Sequence, residues 1–374
     1  MSDEWIGVIH TTRPRYTKGA SDLTLRSRLL LQLMRRKGRI ELNVSGDECK
    51  WQVEFDQPAV QSYADGGVID FSNHDAFRQL TIDWRGYVAT DTLTKKQNAM
   101  NAGPEQLINL FQTKNNRLEK SVRDNFCGEL YKDGEAAGRE NNVHGLETFM
   151  SSPTAATSAL DLVAQNAATY GTGALSTAQG NQGGSWSSDL TTYPNAVLAT
   201  DWPNGSGDAS YDFLSPKLVN WSSTSWGTGG APDWESNGWR AIGQTITWLT
   251  ITGGKDGMPD ICVMGADMFQ GYKNAHESTR RITVPHKESE DLGFKNVLNQ
   301  DGVAIQADFD CPAGVAYMLN LDKITLSSIM PELFWMEGPD KDPRTLWSWL
   351  WGVGFFGNAK YEPKNTAKIF SYAA

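Results

Sequence analysis

The sequence predicts an α+β protein, in which helices and strands occupy separate stretches of the chain. Three observations support this fold class. Residues 49–90 alternate apolar and polar side chains, as the two arms of a long β-hairpin do. Gly103-Pro104-Glu105 precedes apolar residues at a spacing of four, which predicts a long helix. Residues 345–372 carry the aromatic pattern of closing strands.

Length and composition bound the class of protein. A chain of 374 residues with 39% hydrophobic and 21% charged residues is typical of a soluble protein of two or three domains. Its apolar runs are shorter than the roughly 20 residues of a membrane span. The acidic start, Met1-Ser2-Asp3-Glu4, differs from a secretion signal and predicts a cytoplasmic product. The cysteines are far apart, which predicts buried thiols: Cys49, Cys127, Cys262 and Cys311.

The first 45 residues form a basic segment. They hold nine Lys and Arg against four acidic residues, a net charge of +5, whereas the whole chain has a net charge of −10. This predicts an arm that docks on a neighbour's acidic surface or contacts nucleic acid; a solvated helix face is the alternative. Ser21-Asp22 predicts the start of an amphipathic helix that ends near Arg36. Its apolar face needs a partner surface.

The predicted hairpin has strands of about eight to ten residues, and polar or glycine-containing residues connect them. A two-stranded ribbon of this size is unstable alone, so we expect it to lie on another subunit. Trp51, Phe55 and Trp84 are the candidate anchors, because aromatic residues dominate interface cores. Ordinary packing within the sheet is the alternative.

The remaining elements follow in order. The long helix runs to about Lys132, and its apolar stripe drifts around the axis because a spacing of four exceeds 3.6. The stretch 151–235 is rich in Gly, Ser, Thr and Trp, which predicts loop-rich surface. Further elements are a helix over 235–249, a buried strand over 259–264, a helix over 266–276, and strands over 302–310 and 315–319.

Motifs of enzymes are absent or incomplete. His276-Glu277-Ser278-Thr279-Arg280 has Arg where the zinc-protease motif has its second His. The run from Asp201 to Asp208 has the composition of a calcium loop but lacks two of its oxygen ligands. No phosphate-binding loop and no GxSxG elbow occur. We therefore expect no catalytic residue, no cofactor and no metal, and hence no enzyme.

Four local features, taken in order, resemble one family. They are the strand Leu80 to Thr94 that leads towards Gly103; Tyr131-Lys132-Asp133-Gly134 followed by Gly145-Leu146-Glu147; Pro259-Asp260-Ile261-Cys262-Val263 with Phe269 to Ala275; and Asn320-Leu321-Asp322 with Trp347 to Trp351 and Tyr361-Glu362-Pro363. Their order is similar to that of tailed-bacteriophage major capsid proteins, which have the Hong-Kong-97-type (HK97) fold. The resemblance spans nearly the whole chain.

The resemblance implies a division of the chain into segments. These are an N-terminal arm (1–45), an extended β-hairpin loop (46–94), a peripheral domain with a long spine helix (95–150), a Gly/Ser/Trp-rich connection or insertion (151–234), a peripheral-domain helix (235–257), an axial domain (258–330) and peripheral closing strands (331–374).

The resemblance also implies a function. Copies of the chain would form hexamers and pentamers of an icosahedral shell around double-stranded DNA, in a virion assembled in the host cytoplasm. Arg26, Arg28, Arg35 and Arg36 would face the DNA without reading its sequence. Scaffold, portal or decoration proteins are further expected partners, and no membrane is expected.

Two other classes of protein remain open. The Trp-, Gly- and Ser-rich middle is compatible with a glycan-binding or glycan-cleaving protein, since exposed aromatic rings stack on sugars and paired carboxylates hydrolyse them. Another virion structural protein, from a tail or a portal, is the second alternative.

Overall fold

The computed structural model describes most of the chain. The described residues are 28–55, 58, 60–69, 71, 73, 75–100, 110–150, 162–163, 169–170, 173–174, 214, 216–222, 233–279, 297–342, 344 and 347–371. Two compact units are present. The smaller comprises Val88–Asp124 and Phe334–Gly354, and the larger comprises Arg28–Tyr87, Asn125–Leu333 and Phe355–Ala374.

The larger unit is built on a seven-stranded sheet. Its strands are β5 (Leu162–Val163), β8 (Lys217–Asn220), β9 (Ile261–Met264), β10 (Leu298–Gln300), β11 (Val303–Ala307), β12 (Ala316–Leu319) and β16 (Ala367–Phe370), with β6 (Thr169–Tyr170) and β7 (Gly173–Ala174) as a separate pair. The order across the sheet is β10-β11-β9-β12-β16-β8-β5. The pairs β9–β11 and β8–β16 are parallel, whereas β12 is antiparallel to both of its neighbours.

Two helices cover one face of this sheet. They are α4 (Trp234–Gly253) and α5 (Ala266–Thr279). Alternate strand residues such as Cys262, Met264 and Met318 form one apolar cluster with Ile242 and Leu249 of α4. The indole of Trp234 donates a hydrogen bond of 2.7 Å to the carbonyl of Met268, which joins the two helices. Burying this cluster is the main source of stability in the unit.

The opposite face of the sheet carries buried polar groups, several of which are paired. Tyr317 and Lys368 lie opposite each other on β12 and β16, and both contact the carboxylate of Glu147. The Lys368 ammonium is 2.8 Å from that carboxylate and 3.0 Å from the carbonyl of Met150. Because a buried charge without a partner is costly, these pairs fix residues 147–150 against the sheet.

A second sheet begins in the larger unit. Strand β1 (Ile40–Glu41) is parallel to β13 (Ile324–Ser328), and β13 is antiparallel to the end of β15 (Ser348–Tyr361). Gly357 of β15 is required there, because a Cβ at that position would lie 2.1 Å from the carbonyl oxygen of Ser327.

The smaller unit packs a helix on strands. Strand β14 (Trp335–Lys341) pairs with the first part of β15, and β4 (Arg85–Thr94) also pairs with β15. Two helices follow β4 in the chain: α2 (Lys95–Met100) and α3 (Leu110–Glu129). An apolar cluster joins α3 to strands β4 and β15; its buried residues are Leu93, Leu118, Val122, Trp351 and Val353.

The hairpin and the arm helix complete the larger unit. Strands β2 (Glu48–Glu54) and β3 (Phe77–Asp83) pair in an antiparallel ribbon with Trp51 opposite Leu80. Helix α1 (Leu29–Arg36) precedes them and ends before Gly38, whose φ is +67°. A positive φ at the residue after a helix favours glycine.

Many of the predicted elements are confirmed, with shifted ends. The hairpin, the helix over 235–249 and the strand–helix pair over 259–276 are present. The predicted starts of the arm helix and of the long helix, at Ser21-Asp22 and Gly103-Pro104-Glu105, lie outside the described residues, as does most of 151–234. Strands β8, β10, β13 and β14 were not predicted.

One predicted grouping differs from the observed sheet. We expected residues 235–257 and 331–374 to belong to the peripheral domain, and residues 258–330 to form the axial domain. Strand β16 instead lies between β12 and β8, and α4 packs on the same sheet. The physical reason is that β12 and β8 would otherwise expose unpaired backbone edges in the core.

Candidate subunit-contact surfaces

The root of the hairpin is buried in its own chain. Leu80 and Ile82 are completely covered, and Cys49, opposite Ile82, is 2% exposed. At the same end, Asn358 donates a hydrogen bond of 2.8 Å to the carbonyl of Asp83. The expectation that the whole ribbon lacks a partner within the molecule is therefore wrong for its root.

The three aromatic anchor candidates lie at the root and along the ribbon. Trp51 is half-buried on β2, and Phe55 is half-buried just after it, where its amide bonds to the carbonyl of Ala76 at 2.9 Å. Trp84 is half-buried and donates its indole N–H to the carbonyl of Gly46 at 2.9 Å. The fold does not bring the three together in one exposed patch, and their role in subunit contacts stays a prediction.

The end of the hairpin is exposed and apolar. We call residues 58–75 the hairpin tip. Val60, Val68 and Phe71 are 91–100% exposed, and Tyr63 is 70% exposed. A turn at Asp65-Gly66, with φ of +82° at Gly66, holds the tip together through a 2.8 Å bond from the Gly67 amide to the Ala64 carbonyl. Large apolar groups exposed to water in one segment indicate a contact surface.

These tip residues are functional candidates that the sequence interpretation missed. It described the connection only as polar and rich in glycine. The available signal was the occurrence of large apolar residues within a turn region, where polar residues are the rule. Residues 56–76, which include the hairpin tip, also contain four aspartates and no Lys or Arg. It therefore combines apolar contact groups with negative charge.

Helix α1 does not need a partner from another subunit. Leu29, Leu30, Leu33 and Met34 are each less than 8% exposed within the single chain. The amphipathic pattern was predicted correctly, but the expectation that its apolar face awaits another subunit is wrong for Leu29–Arg36. An apolar stripe indicates that one face of a helix is buried, but it does not identify the surface that buries it.

Three ion pairs tie this segment to acidic residues of its own chain. Arg28 pairs with Asp310, Lys37 with Asp260 at 2.6 Å, and Arg39 with Asp322 at 2.5 Å. The bond from Arg39 holds the pKa of Asp322 below its ordinary value. Residues 28–39 of the basic segment thus dock on acidic residues, as the charge of the segment predicted, but these acidic residues belong to the same chain.

The four arginines predicted to face DNA have different surroundings. Arg28 is only 5% exposed and is paired, so this structure does not offer it to DNA. Arg35 and Arg36 are exposed at the end of α1. Arg26 lies outside the described residues.

A second exposed surface lies on the smaller unit. We call it the α2–Trp347 patch; it comprises α2 and Trp347. No residue of α2 is buried, Met100 is 76% exposed and Trp347 is 67% exposed. The Lys95 ammonium lies 4.6 Å from the centre of the Trp347 ring, and the Lys95 amide bonds to the Trp347 carbonyl at 2.6 Å. The patch is therefore positive and apolar.

Other kinds of site were sought in the described part of the chain. It contains no group of three His, Cys, Asp or Glu side chains arranged to hold a metal ion. None of its helices combines the length and the apolar character that crossing a membrane requires. The four cysteines are free and buried, which confirms the prediction of buried thiols.

Comparisons by sequence find no relative, whereas comparisons by structure do. No protein-family model and no curated protein matches the sequence. The fold is similar to the capsid of a native GTA particle, with a TM-score of 0.57 over 99% of both chains at 10% identity. It is similar to the cyanophage A-1(L) capsid, with a TM-score of 0.55 over 98% of both chains at 13% identity.

A third similar structure is not from a phage. It is the holo-SrpI encapsulin complex of Synechococcus elongatus, with a TM-score of 0.50 over 98% of this chain and 94% of that chain at 10% identity. These similarities confirm the prediction that the chain has a capsid-protein fold. At such low identity these likenesses establish the fold and no more.

Proposed function

We infer that this chain is a major capsid protein of a tailed bacteriophage, and that its copies assemble as hexamers and pentamers into an icosahedral shell around double-stranded DNA. The observation that carries the proposal is the exposed hairpin tip. Its large apolar residues have no cover in the single chain, yet they stand on a ribbon whose root is firmly packed. Such a projection is suited to reach a neighbouring copy.

The fold supports the same proposal. The capsid chains that it resembles match over almost their whole length. In a shell each subunit needs only modest contacts, because many weak contacts made together give a stable assembly. No enzymatic activity and no cofactor form part of the proposal.

We assign roles to segments on this basis. Residues 46–94 form the extended loop, and α3 is the spine helix of a peripheral domain. The axial domain comprises 258–330 together with α4 and β16, since these pack on or in one sheet. The arm covers residues 1–45, with 28–39 as its docked part.

Packaged DNA would meet this protein only weakly. The chain has a net charge of −10, and three of its basic arm residues are already paired with acids. Arg35 and Arg36 supply non-specific phosphate contacts at most. Weak contact suits a container that must admit and release its contents. Scaffold, portal and decoration proteins remain expected partners in the virion.

Electron microscopy and mass measurement of the expressed protein test the proposal. We expect closed shells, or pentamers and hexamers. A matched variant replaces residues 57–74 with Asn-Gly, so that Asp56 and Asp75 flank a two-residue turn on the existing strands. This variant should fold as a monomer that forms no regular shell. A wild-type protein that stays a small monomer under all assembly conditions would refute the proposal.

The content of the shell needs a separate measurement, because an encapsulin chain has the same fold. Particles from infected cells should protect double-stranded DNA from added nuclease. Native particles that contain protein and no nucleic acid would instead favour a compartment of another kind.

A further inference from the structure

We propose that the hairpin tip of one copy docks on the α2–Trp347 patch of a second copy, and that charge complementarity selects this pairing. The inference rests on the proposed function and names the partner surface of the same contact. Three observations carry it: an uncovered helix, opposite charges, and exposed apolar groups on both sides.

Within the described part of the chain, helix α2 lacks the packing that usually stabilises a short helix. It has six residues, all of them exposed. Isolated helices shorter than about 12 residues are marginal in water, so short helices depend on tertiary contacts. Among the described residues, its own chain supplies a reciprocal cap, in which Thr94 and Gln97 exchange bonds of 3.3 Å, and the 2.6 Å bond from the Lys95 amide to the Trp347 carbonyl. The helix is thus held in place and left uncovered.

The charges of the two surfaces are opposite. Residues 56–76, which include the hairpin tip, carry four aspartates and no Lys or Arg, and Asp65 and Asp75 are exposed. The patch carries Lys95 and Lys96, and neither of them pairs with an acidic side chain in the described part of the chain. Facing charges of opposite sign favour the correct partner and exclude wrong ones.

The apolar groups also correspond. The tip presents Tyr63, Val68 and Phe71, and the patch presents Met100 and Trp347. Aromatic and Met side chains are enriched in the cores of protein interfaces. Among the described residues, Arg240 beside the half-exposed Trp239 is one alternative acceptor, but it offers one cation where the α2–Trp347 patch offers two.

Charge reversal tests the pairing. The variant Lys95→Glu/Lys96→Glu should stay folded. The fraction of its protein found in shells should be lower than that of the wild type by a factor of about ten or more, since the lost attraction is repeated at every contact of the shell. The variant Asp65→Lys/Asp75→Lys should fail in the same way. The protein with all four changes should recover shells, because the opposite charges are restored. A merely structural role of Lys95 and Lys96 would not give this recovery.

A control and a covalent probe keep the test decisive. Arg35→Glu/Arg36→Glu, which reverses two exposed cations on α1, should assemble as the wild type does. In shells of the variant Val68→Cys/Met100→Cys, a bis-maleimide crosslinker should join copies into covalent ladders. These two positions are 98% and 76% exposed, so the substitutions do not disturb the core.

The outcomes separate the two proposals. If the Asn-Gly variant fails to assemble, while Lys95→Glu/Lys96→Glu forms normal shells and shells of Val68→Cys/Met100→Cys give no crosslinked ladders, the tip binds another surface. This inference is then wrong, while the proposed function stands. If the wild-type protein never assembles, both are wrong. Recovery by the fourfold variant together with ladders supports both.

Discussion

The guanidinium of Arg28 forms a buried ion pair with the carboxylate of Asp310, 282 residues further along the chain. Asp310 follows β11 of the seven-stranded sheet, and Arg28 immediately precedes α1. The pair therefore fixes the beginning of α1 to the end of a core strand. It also places Phe309 beside the arginine, with 5.9 Å between the guanidinium carbon and the ring centre.

We expect Arg28→Ala to lower the free energy of unfolding by about 3–5 kcal/mol, because it leaves the Asp310 carboxylate buried without its main partner. Arg35→Ala is the matched control, since Arg35 is exposed on the same helix, and its effect should stay within about 0.5 kcal/mol. Urea unfolding of the unassembled subunit measures both. Equal effects would mean that the Arg28 pair contributes no more than a surface charge.

The root and the tip of the hairpin should respond differently to mutation. Leu80→Ala removes a fully buried side chain and should cost about 2–5 kcal/mol of stability. Phe71→Ser changes a residue that is 91% exposed, so it should leave subunit stability unchanged and reduce assembly. Thermal unfolding and light scattering separate the two effects. A destabilised Phe71→Ser subunit would show that the tip folds onto its own chain.

Acid should destabilise the subunit through His144. Burial, and then the positive charge of Arg85, lower the pKa of His144 to about 3, although the Glu135 carboxylate lies 3.3 Å from its Nε2 atom. The unfolded chain binds this proton near pH 6.5. Between pH 6.5 and about 3 the unfolded state therefore holds more protons than the folded state. The contribution of neutral His144 is full above pH 6.5 and declines as the pH falls towards 3.

The variant His144→Gln isolates this effect. The wild-type free energy of unfolding should fall with decreasing pH more steeply than that of the variant, by up to roughly 1.4 kcal/mol per pH unit. Urea unfolding at several pH values between 6.5 and 4 measures both slopes. Parallel slopes would contradict a lowered pKa at His144.

Two glycines give a matched pair of backbone tests. Gly357→Ala should destabilise the subunit by roughly 1–3 kcal/mol, because the added methyl group would meet the Ser327 carbonyl oxygen within a paired sheet. Gly128→Ala in α3 meets nothing within 4 Å and should stabilise the helix by about 0.5–1 kcal/mol. Melting temperatures should shift in opposite directions. A shift of the same sign in both would contradict this reading of the sheet contact.

Local patterns in the sequence predicted the elements that have strong periodicity. Helix α4 was recognised because Ile242, Ile246 and Leu249 recur on one face, and all three are buried. Strand β8 was missed, since Lys217 and Asn220 lie within it and are buried like their neighbours. Their polar side chains remove the apolar signal on which strand prediction depends.

Long-range relationships could not be predicted in this way. Nothing in residues 28–36 indicates that Asp310 lies beside them, because the contact depends on the whole sheet being formed. The charge of the basic segment predicted acidic partners correctly. Net charge does not specify which acidic residues those are, and the observed partners lie in the same chain. In the hairpin connection, Val68 and Phe71 were not recognised as candidates, because most residues around them are the polar and glycine residues typical of a turn.

The position of β16 has a consequence for biosynthesis. This strand lies between β12 and β8, so the seven-stranded sheet cannot close until the ribosome has made residue 370. A chain that terminates earlier keeps two bare strand edges and an unfilled gap in its core. We therefore expect a chain that lacks β16 to fail to fold and to be excluded from any larger structure.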